Sequence, residues 1–250
     1  MNRITLSIAA NMAAQAYDTT AQLPDFDVTQ HVHGNIQWFA ARNASELWVV
    51  FRGTDELADW VDNLDVEKTV SAQGYVHKGF SDALDRVWPF VLDEVYLRGI
   101  SRLHFVGHSL GGALAAIAAS RCLLGSLDDR VYLWTFGQPR CGDKPWADWM
   151  DERLGQRYVR VFNAGDIVPH LPTLMRFRHA GTEVFFDEHG SVATPTFLHR
   201  AMAAIEVIRT QLPSSILRFG AHSMGRYRDN VLRMLPPKPT TTPAKANTAL

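Results

Sequence analysis

The chain lacks the features that mark several common classes of protein. It has only two cysteines in 250 residues, Cys122 and Cys141, and neither lies in a C-x-x-C or metal-ligand spacing, so a disulfide is not indicated and we expect two free thiols and no metal site. Its formal net charge is -1, which gives no electrostatic case for binding nucleic acid or an anionic membrane. No apolar run is long enough to cross a bilayer. These absences leave an ordinary globular domain, with 46% hydrophobic residues to build a core.

The two ends of the chain carry different signals. Residues 1–17 are alanine-rich and mildly apolar, and they predict either the first helix of the fold or a weak signal peptide. We favour the helix. The expected location is then the cytoplasm, or a location reached by a non-standard export route, and secretion is the alternative. From Pro236 onward proline and threonine dominate, and such a segment has little to bury. We therefore expect one domain over residues 1–235 and a disordered tail over 236–250.

Strand-like and helix-like patterns alternate along the chain. The β-rich runs cover residues 35–41, 47–51, 130–136, 158–162 and 182–186. Polar turn residues between the first two runs predict a hairpin, and the alternation with helices predicts a mainly parallel sheet. An amphipathic helix is predicted from Ser81 to about Arg98, closed by Gly99, and a further amphipathic segment covers 201–211.

The most informative stretch surrounds Ser109. An apolar run ends at Val106, and a run of small and aliphatic residues begins at Leu110, so the pattern predicts a buried strand followed by a buried helix. Gly107-x-Ser109-x-Gly111 lies between them and fits the strand–turn–helix motif that presents a nucleophilic serine. The glycines remove Cβ atoms that would collide at so sharp a turn. We interpret Ser109 as a nucleophile rather than as a serine in a chance glycine-rich turn.

Two further polar residues follow predicted strands. Thr54 comes after the second strand and Asp166 after the strand that ends near Phe162. Functional side chains of parallel sheets gather beyond the carboxyl ends of the strands, so Thr54, Ser109 and Asp166 should converge. The order of serine, then aspartate, then histidine is typical of this serine motif, which favours a histidine near the C-terminus as the base.

These motifs resemble the class 3 lipases, the filamentous-fungal type of triacylglycerol lipase. The resemblance is carried by Gly107 to Gly112, by Phe51-Arg52-Gly53-Thr54, and by the run from Asn163 to Pro169. It implies an α/β-hydrolase fold with a central, mainly parallel sheet flanked by helices. It also implies a short helical lid over the active site.

The resemblance assigns roles to several residues. Ser109, Asp166 and His222 would form the catalytic triad, because His222 lies in a segment similar to the family's His-x-x-x-Tyr, here with one more residue before Tyr227. His170, so close to Asp166, is the alternative base but is better suited to the rim of the cleft. Thr54 and Leu110 would hold the oxyanion.

The remaining assignments concern the substrate cleft. Leu57, Trp60 and Val61 lie in a short amphipathic stretch where the family has its lid, and the alternative is a helix packed permanently on the surface. His77, within a His-x-Gly-Phe element, precedes the serine and is therefore expected to be structural or to line the cleft.

The function implied is that of a serine carboxylester hydrolase acting on acylglycerols, with no cofactor, at an oil–water interface. Phospholipase A1 and small-ester or feruloyl esterase activities remain as alternatives within the same fold, as does acyl transfer. A hydrolase-fold binding module without activity is the non-enzyme alternative.

Overall fold

A computed structural model describes residues 2–18, 20–54, 56, 66–71, 73–96, 100–125, 127–172, 176–195 and 219–236. The α-helices within these ranges are α1 Arg3–Gln15, α2 Lys78–Asp85, α3 Trp88–Tyr96, α4 Leu110–Cys122, α5 Lys144–Leu154 and α6 Met224–Arg233. The strands are β1 Asp27–His33, β2 Ile36–Arg42, β3 Glu46–Phe51, β4 Lys68–Ser71, β5 Gly74–His77, β6 Arg102–His108, β7 Val131–Phe136, β8 Tyr158–Asn163, β9 Thr182–Phe186 and β10 Val192–Ala193. No described helix is both long enough and apolar enough to span a membrane.

Eight strands form one sheet, in the order β1-β2-β3-β6-β7-β8-β9-β10. The five central strands, from β3 to β9, run parallel, while β1, β2 and β10 are antiparallel additions at the two edges. Strands β4 and β5 form a separate small hairpin. The predicted α/β-hydrolase fold with a mainly parallel sheet is thus confirmed, and the carboxyl ends of β3, β6, β7 and β8 meet at one edge.

Apolar clusters lie on both faces of the sheet. On one face Phe80, Val91 and Trp146 from α2, α3 and α5 pack with the sheet. On the other face Leu6 of α1 and Tyr227 of α6 pack with it. Each face of a parallel sheet needs such cover, because its strands are apolar on both sides.

Helix α4 is the most buried of the described helices, with eleven of its thirteen residues buried. Small side chains let it lie close to the sheet. A methyl group added at Gly107 would meet the Gly111 carbonyl oxygen at 2.1 Å, and one added at Gly111 would meet the Phe51 carbonyl oxygen at 2.3 Å. These glycines are therefore required by the close approach of helix and strands.

Several sequence-based expectations need correction. The single helix predicted from Ser81 to Arg98 is two helices, α2 and α3. Pro89, the second residue of α3, explains the break, since proline fits a first helical turn but not a helix interior. Strand β1, the hairpin of β4 and β5, and helix α5 were not predicted. Gly99 and the segment 201–211 lie outside the described residues, as does the tail beyond Pro236.

The two cysteines are free and buried. Burial raises the pKa of each thiol to about 12, so neither is a thiolate at neutral pH. Cys122 ends α4, and Cys141 accepts a hydrogen bond from the Gln138 amide at 3.3 Å. Both behave as core residues.

Candidate active site

Ser109 lies at the sharp turn between β6 and α4. Its φ of 58° and ψ of -129° make it the only non-glycine residue with positive φ in the described part of the chain. Such a conformation typically costs about 1–3 kcal/mol and persists only where the surroundings impose it. Here the Ser109 N–H donates to the Phe136 carbonyl at 2.9 Å, which ties the turn to the end of β7.

His222 and Asp166 form a buried, hydrogen-bonded pair. His222 Nδ1 lies 2.8 Å from Asp166 Oδ2, although 56 residues separate them. Asp166 follows β8, and His222 ends a 3₁₀ turn, Phe219–His222, just before α6. Their exposed fractions are 2% and 4%. A carboxylate in this position can hold an imidazole with its proton on Nδ1, which leaves Nε2 to act as a base.

Two more donors satisfy the buried Asp166 carboxylate. The Tyr227 hydroxyl donates to Oδ2 at 2.5 Å, and the Val168 N–H donates to Oδ1 at 2.9 Å. Burial, and then the neighbouring Asp166 carboxylate, raise the pKa of Tyr227 well above its usual value. Tyr227 therefore stays protonated, and its hydroxyl remains a donor.

We expect Tyr227→Phe to lower kcat by about tenfold with little change in KM, because Asp166 loses a charge-assisted hydrogen bond. The buried Asn163 N–H, which donates to the Tyr227 hydroxyl at 3.2 Å, also loses its acceptor. The free energy of unfolding should fall by about 1–3 kcal/mol. Steady-state kinetics and urea unfolding measure the two effects.

Tyr132→Phe is the matched control, since the Tyr132 ring stacks on His104, with ring centroids 4.9 Å apart, rather than on the triad. If both variants keep native kcat, the hydroxyl of Tyr227 does not support Asp166.

Ser109 and His222 have neighbouring residues in common. Gly137 follows Phe136 with a φ of +57°, and a methyl group added there would lie 2.8 Å from His222 Cε1 and 3.0 Å from Asp166 Oδ2. The rings of His108 and His222 have centroids 4.5 Å apart, and His108 directly precedes Ser109. The structure thus brings the three predicted triad residues to one edge of the sheet.

Two buried atoms of this cluster have no hydrogen-bond partner among the described residues: Ser109 Oγ and His222 Nε2. Buried polar atoms in folded proteins are nearly always paired. Catalytic groups are a recognised exception, because their hydrogen bonds shorten only when substrate binds. The unpaired hydroxyl and the unpaired ring nitrogen are the atoms that a serine nucleophile and its base would use.

Thr54 and Leu110 both lie close to the serine. A methyl group added at Gly53, the neighbour of Thr54, would be 3.0 Å from Ser109 Cβ. Thr54 Oγ1 accepts a hydrogen bond from the Glu56 N–H at 3.1 Å, which leaves its own hydroxyl proton to be donated. Leu110 is the first residue of α4, where N–H groups have no acceptor within the helix.

The two predicted cleft histidines, His77 and His170, differ in how deeply they are buried. His77 is the residue before α2 and is 2% exposed, with its ring stacked on Phe80 at 4.1 Å. His170 ends a 3₁₀ turn, is partly exposed, and lies edge-on to Phe162 at 6.2 Å. The proposed lid residues Leu57, Trp60 and Val61 lie outside the described residues. His77 is thus a buried residue, whereas His170 is partly exposed.

Sequence reasoning missed three contributors to the site. Tyr227 was noted only as part of a spacing, His108 only as the variable position of the serine motif, and Gly137 was assigned no role. The available signals were the turn glycine after β7 and the histidine beside the serine. Neither signal shows which distant residue it contacts.

Comparisons with known proteins place this chain in a family. The family model described as Lipase (class 3) matches residues 48–175, just over half of the chain. A lipase from Rhizomucor miehei is 35% identical over 162 residues, which cover 60% of this chain and 44% of that protein. The secreted mono- and diacylglycerol lipase 1 of Fusarium solani is 32% identical over 160 residues, or 60% of this chain and 47% of that protein. The chain spans a little under half the length of these two relatives.

Similarity also extends to solved structures. The structure of a deletion mutant of Rhizomucor miehei lipase in complex with its propeptide has a TM-score of 0.68 to this chain at 25% identity, and covers 89% of this chain and 80% of that one. The family match contains the serine turn and Asp166, and the structural match extends over most of the remaining chain. The chain therefore belongs to the class 3 lipase family.

Proposed function

We propose that this chain is a serine carboxylester hydrolase that cleaves acylglycerol esters. The observation that carries the proposal is the buried His222–Asp166 pair beside the strained Ser109, with Ser109 Oγ and His222 Nε2 each lacking a partner among the described residues. Membership of the class 3 lipase family supports the same chemistry.

The buried His222–Asp166 pair and the Ser109 hydroxyl support the following reaction. His222 Nε2 takes the proton of the Ser109 hydroxyl while Ser109 Oγ attacks the ester carbonyl carbon. Asp166 keeps the imidazole in the required tautomer and stabilises the imidazolium. His222 then protonates the departing alcohol, and an acyl-enzyme on Ser109 remains. Water, deprotonated by His222, releases the fatty acid.

The negative charge of the tetrahedral intermediate needs donors that are already in place. The Leu110 N–H at the start of α4 provides one donor, supported by the positive end of the helix. Thr54 provides the other, through its backbone N–H and its hydroxyl. The approach of Gly53 to Ser109 Cβ supports this assignment, because it brings the end of β3 to the reacting serine.

The substrate class can be tested with one series of esters. We expect release of fatty acid from emulsified mono-, di- and triacylglycerols. The series also contains phosphatidylcholine, a feruloyl ester and p-nitrophenyl esters of increasing chain length as comparisons. Mono- and diacylglycerols are included because the Fusarium solani relative is named as a mono- and diacylglycerol lipase. Ser109→Ala provides the blank for every substrate.

Each outcome of this series separates the alternatives. A rate that rises abruptly when the substrate forms an emulsion supports a lid that moves at the interface. If fatty acid is released fastest from phosphatidylcholine, the chain is a phospholipase rather than an acylglycerol hydrolase. Activity confined to short or feruloyl esters would replace it with a small-ester hydrolase, and no hydrolysis of any ester would favour a silent binding module.

A further inference from the structure

His108 takes part in the site without belonging to the triad. It is 5% exposed, and its Nε2 lies 2.7 Å from the main-chain carbonyl oxygen of His222. Its Nδ1 lies 2.6 Å from the Tyr17 hydroxyl. These contacts connect the end of α1, the residue before the nucleophile, and the backbone of the proposed base.

The pattern of partners fixes the tautomer of His108. A carbonyl oxygen can only accept, so Nε2 must carry the proton and donate to His222. Nδ1 is then the acceptor, and the Tyr17 hydroxyl donates to it. Burial, and then the nearby His222, lower the pKa of His108 well below its usual value, so the ring is neutral in the folded protein.

The backbone that carries His222 needs this support. His222 ends a short 3₁₀ turn, and the main-chain hydrogen bond across that turn, from the Ser223 N–H to the Gly220 carbonyl, is long at 3.4 Å. Side chains hold the segment instead: the Asn163 amide donates to the Ala221 carbonyl at 2.9 Å, and His108 donates to the next carbonyl. A shift of about 1 Å in a reacting group can cost a hundredfold in rate.

Neutrality of His108 also matters for the chemistry. During the reaction His222 becomes an imidazolium, and the two ring centroids lie only 4.5 Å apart. A second positive charge at that distance would disfavour this state. The tautomer that anchors His222 is therefore also the one that adds no opposing charge.

We propose that His108 is a positioning residue for catalysis: its Nε2–H anchors the His222 backbone so that the His222 ring reaches Ser109, and the Tyr17 hydroxyl holds His108 in the tautomer that does so. The proposal rests on the proposed hydrolase function.

A matched pair of amide variants tests it. The glutamine side chain of His108→Gln can place an N–H donor near the position of the histidine Nε2, whereas the asparagine of His108→Asn is too short to reach the His222 carbonyl. We expect His108→Asn to lower kcat about 10- to 100-fold with KM nearly unchanged, and His108→Gln to recover most of that loss. Activity on p-nitrophenyl butyrate is measured on folded protein, with circular dichroism and thermal unfolding as checks.

The results separate positioning from stability and from failure of the proposed function. If folded His108→Asn and His108→Gln have the same kcat, the donor to His222 has no role and the proposal is wrong. If Ser109→Ala keeps the native rate, the proposed function itself fails. Loss of activity in Ser109→Ala together with native kcat in His108→Asn overturns only the positioning role.

A spectroscopic measurement decides the case if the asparagine variant does not fold. In the native chain with ¹⁵N-labelled histidine, NMR should show His108 neutral, with its proton on Nε2. Tyr17→Phe should lower kcat several-fold, because His108 Nδ1 loses its donor and the ring loses one of its two anchors. A charged His108, a neutral His108 with its proton on Nδ1, or native kcat in Tyr17→Phe would overturn the proposal.

Discussion

Ser109→Ala is expected to lower kcat for ester hydrolysis by about a million-fold, because removal of the nucleophile of a serine triad leaves only binding and oxyanion stabilisation. The fold should persist, with stability equal to or greater than that of the native chain. The Ser109 hydroxyl is buried without a partner among the described residues, so its removal relieves a desolvation cost. The residual rate is measured with p-nitrophenyl butyrate and the stability by thermal unfolding.

Ser120→Ala is the matched control for this variant. Ser120 lies on the same helix, α4, and is 1% exposed, but its hydroxyl donates to the Ile117 carbonyl at 2.7 Å. This variant should keep kcat within about twofold of the native chain, since a core change far from the reacting atoms alters stability rather than rate. Hydrolysis by Ser109→Ala at a rate near the native one would remove Ser109 from the mechanism.

Asp166→Asn is expected to lower kcat by about ten-thousandfold, as the same change does in other serine triads. The Val168 N–H needs an acceptor, which keeps the asparagine oxygen at the Oδ1 position and places the amide NH2 at the Oδ2 position. His222 Nδ1 would then have to accept from that NH2 group. That arrangement moves the histidine proton to Nε2, where it blocks the base. Asparagine has nearly the same shape, so the Val168 contact to Oδ1 is kept, whereas the Tyr227 hydroxyl loses its acceptor at Oδ2.

The control for charge is Asp148→Asn. The Asp148 side chain is 62% exposed and pairs with Lys144 on α5, away from the triad. The Asp148→Asn variant should have an unchanged kcat, and its free energy of unfolding should change by less than about 0.5 kcal/mol. If Asp166→Asn retains more than a tenth of the native kcat, Asp166 does not orient the base.

The parts of this molecule that were predictable from sequence are those specified over short distances along the chain. The strand ending at Val106, the glycines around Ser109 and the helix from Leu110 are encoded within about twenty residues. Asp166 was identified for the same local reason, since it directly follows an apolar strand. The class of fold followed from the alternation of such units.

The unpredicted parts depend on contacts between distant residues. Tyr17 and His108 are 91 residues apart, and Tyr227 and Asp166 are 61 residues apart, so no local pattern links them. Strand β1 is largely polar because it is an edge strand with a mostly exposed face, which removes the alternation that identifies strands. The helix predicted over Ser81 to Arg98 is interrupted between Asp85 and Trp88, just before Pro89. The local rule for proline thus outweighed the apolar periodicity.

The most direct test of the account is to locate the covalent adduct formed by a fluorophosphonate, which reacts with an activated serine, by mass spectrometry of the digested protein. The account predicts one adduct, on the peptide that contains Ser109, and much slower labelling in His222→Ala, since the hydroxyl then lacks its base. Labelling of another serine, or native labelling of Ser109 in His222→Ala, would contradict it.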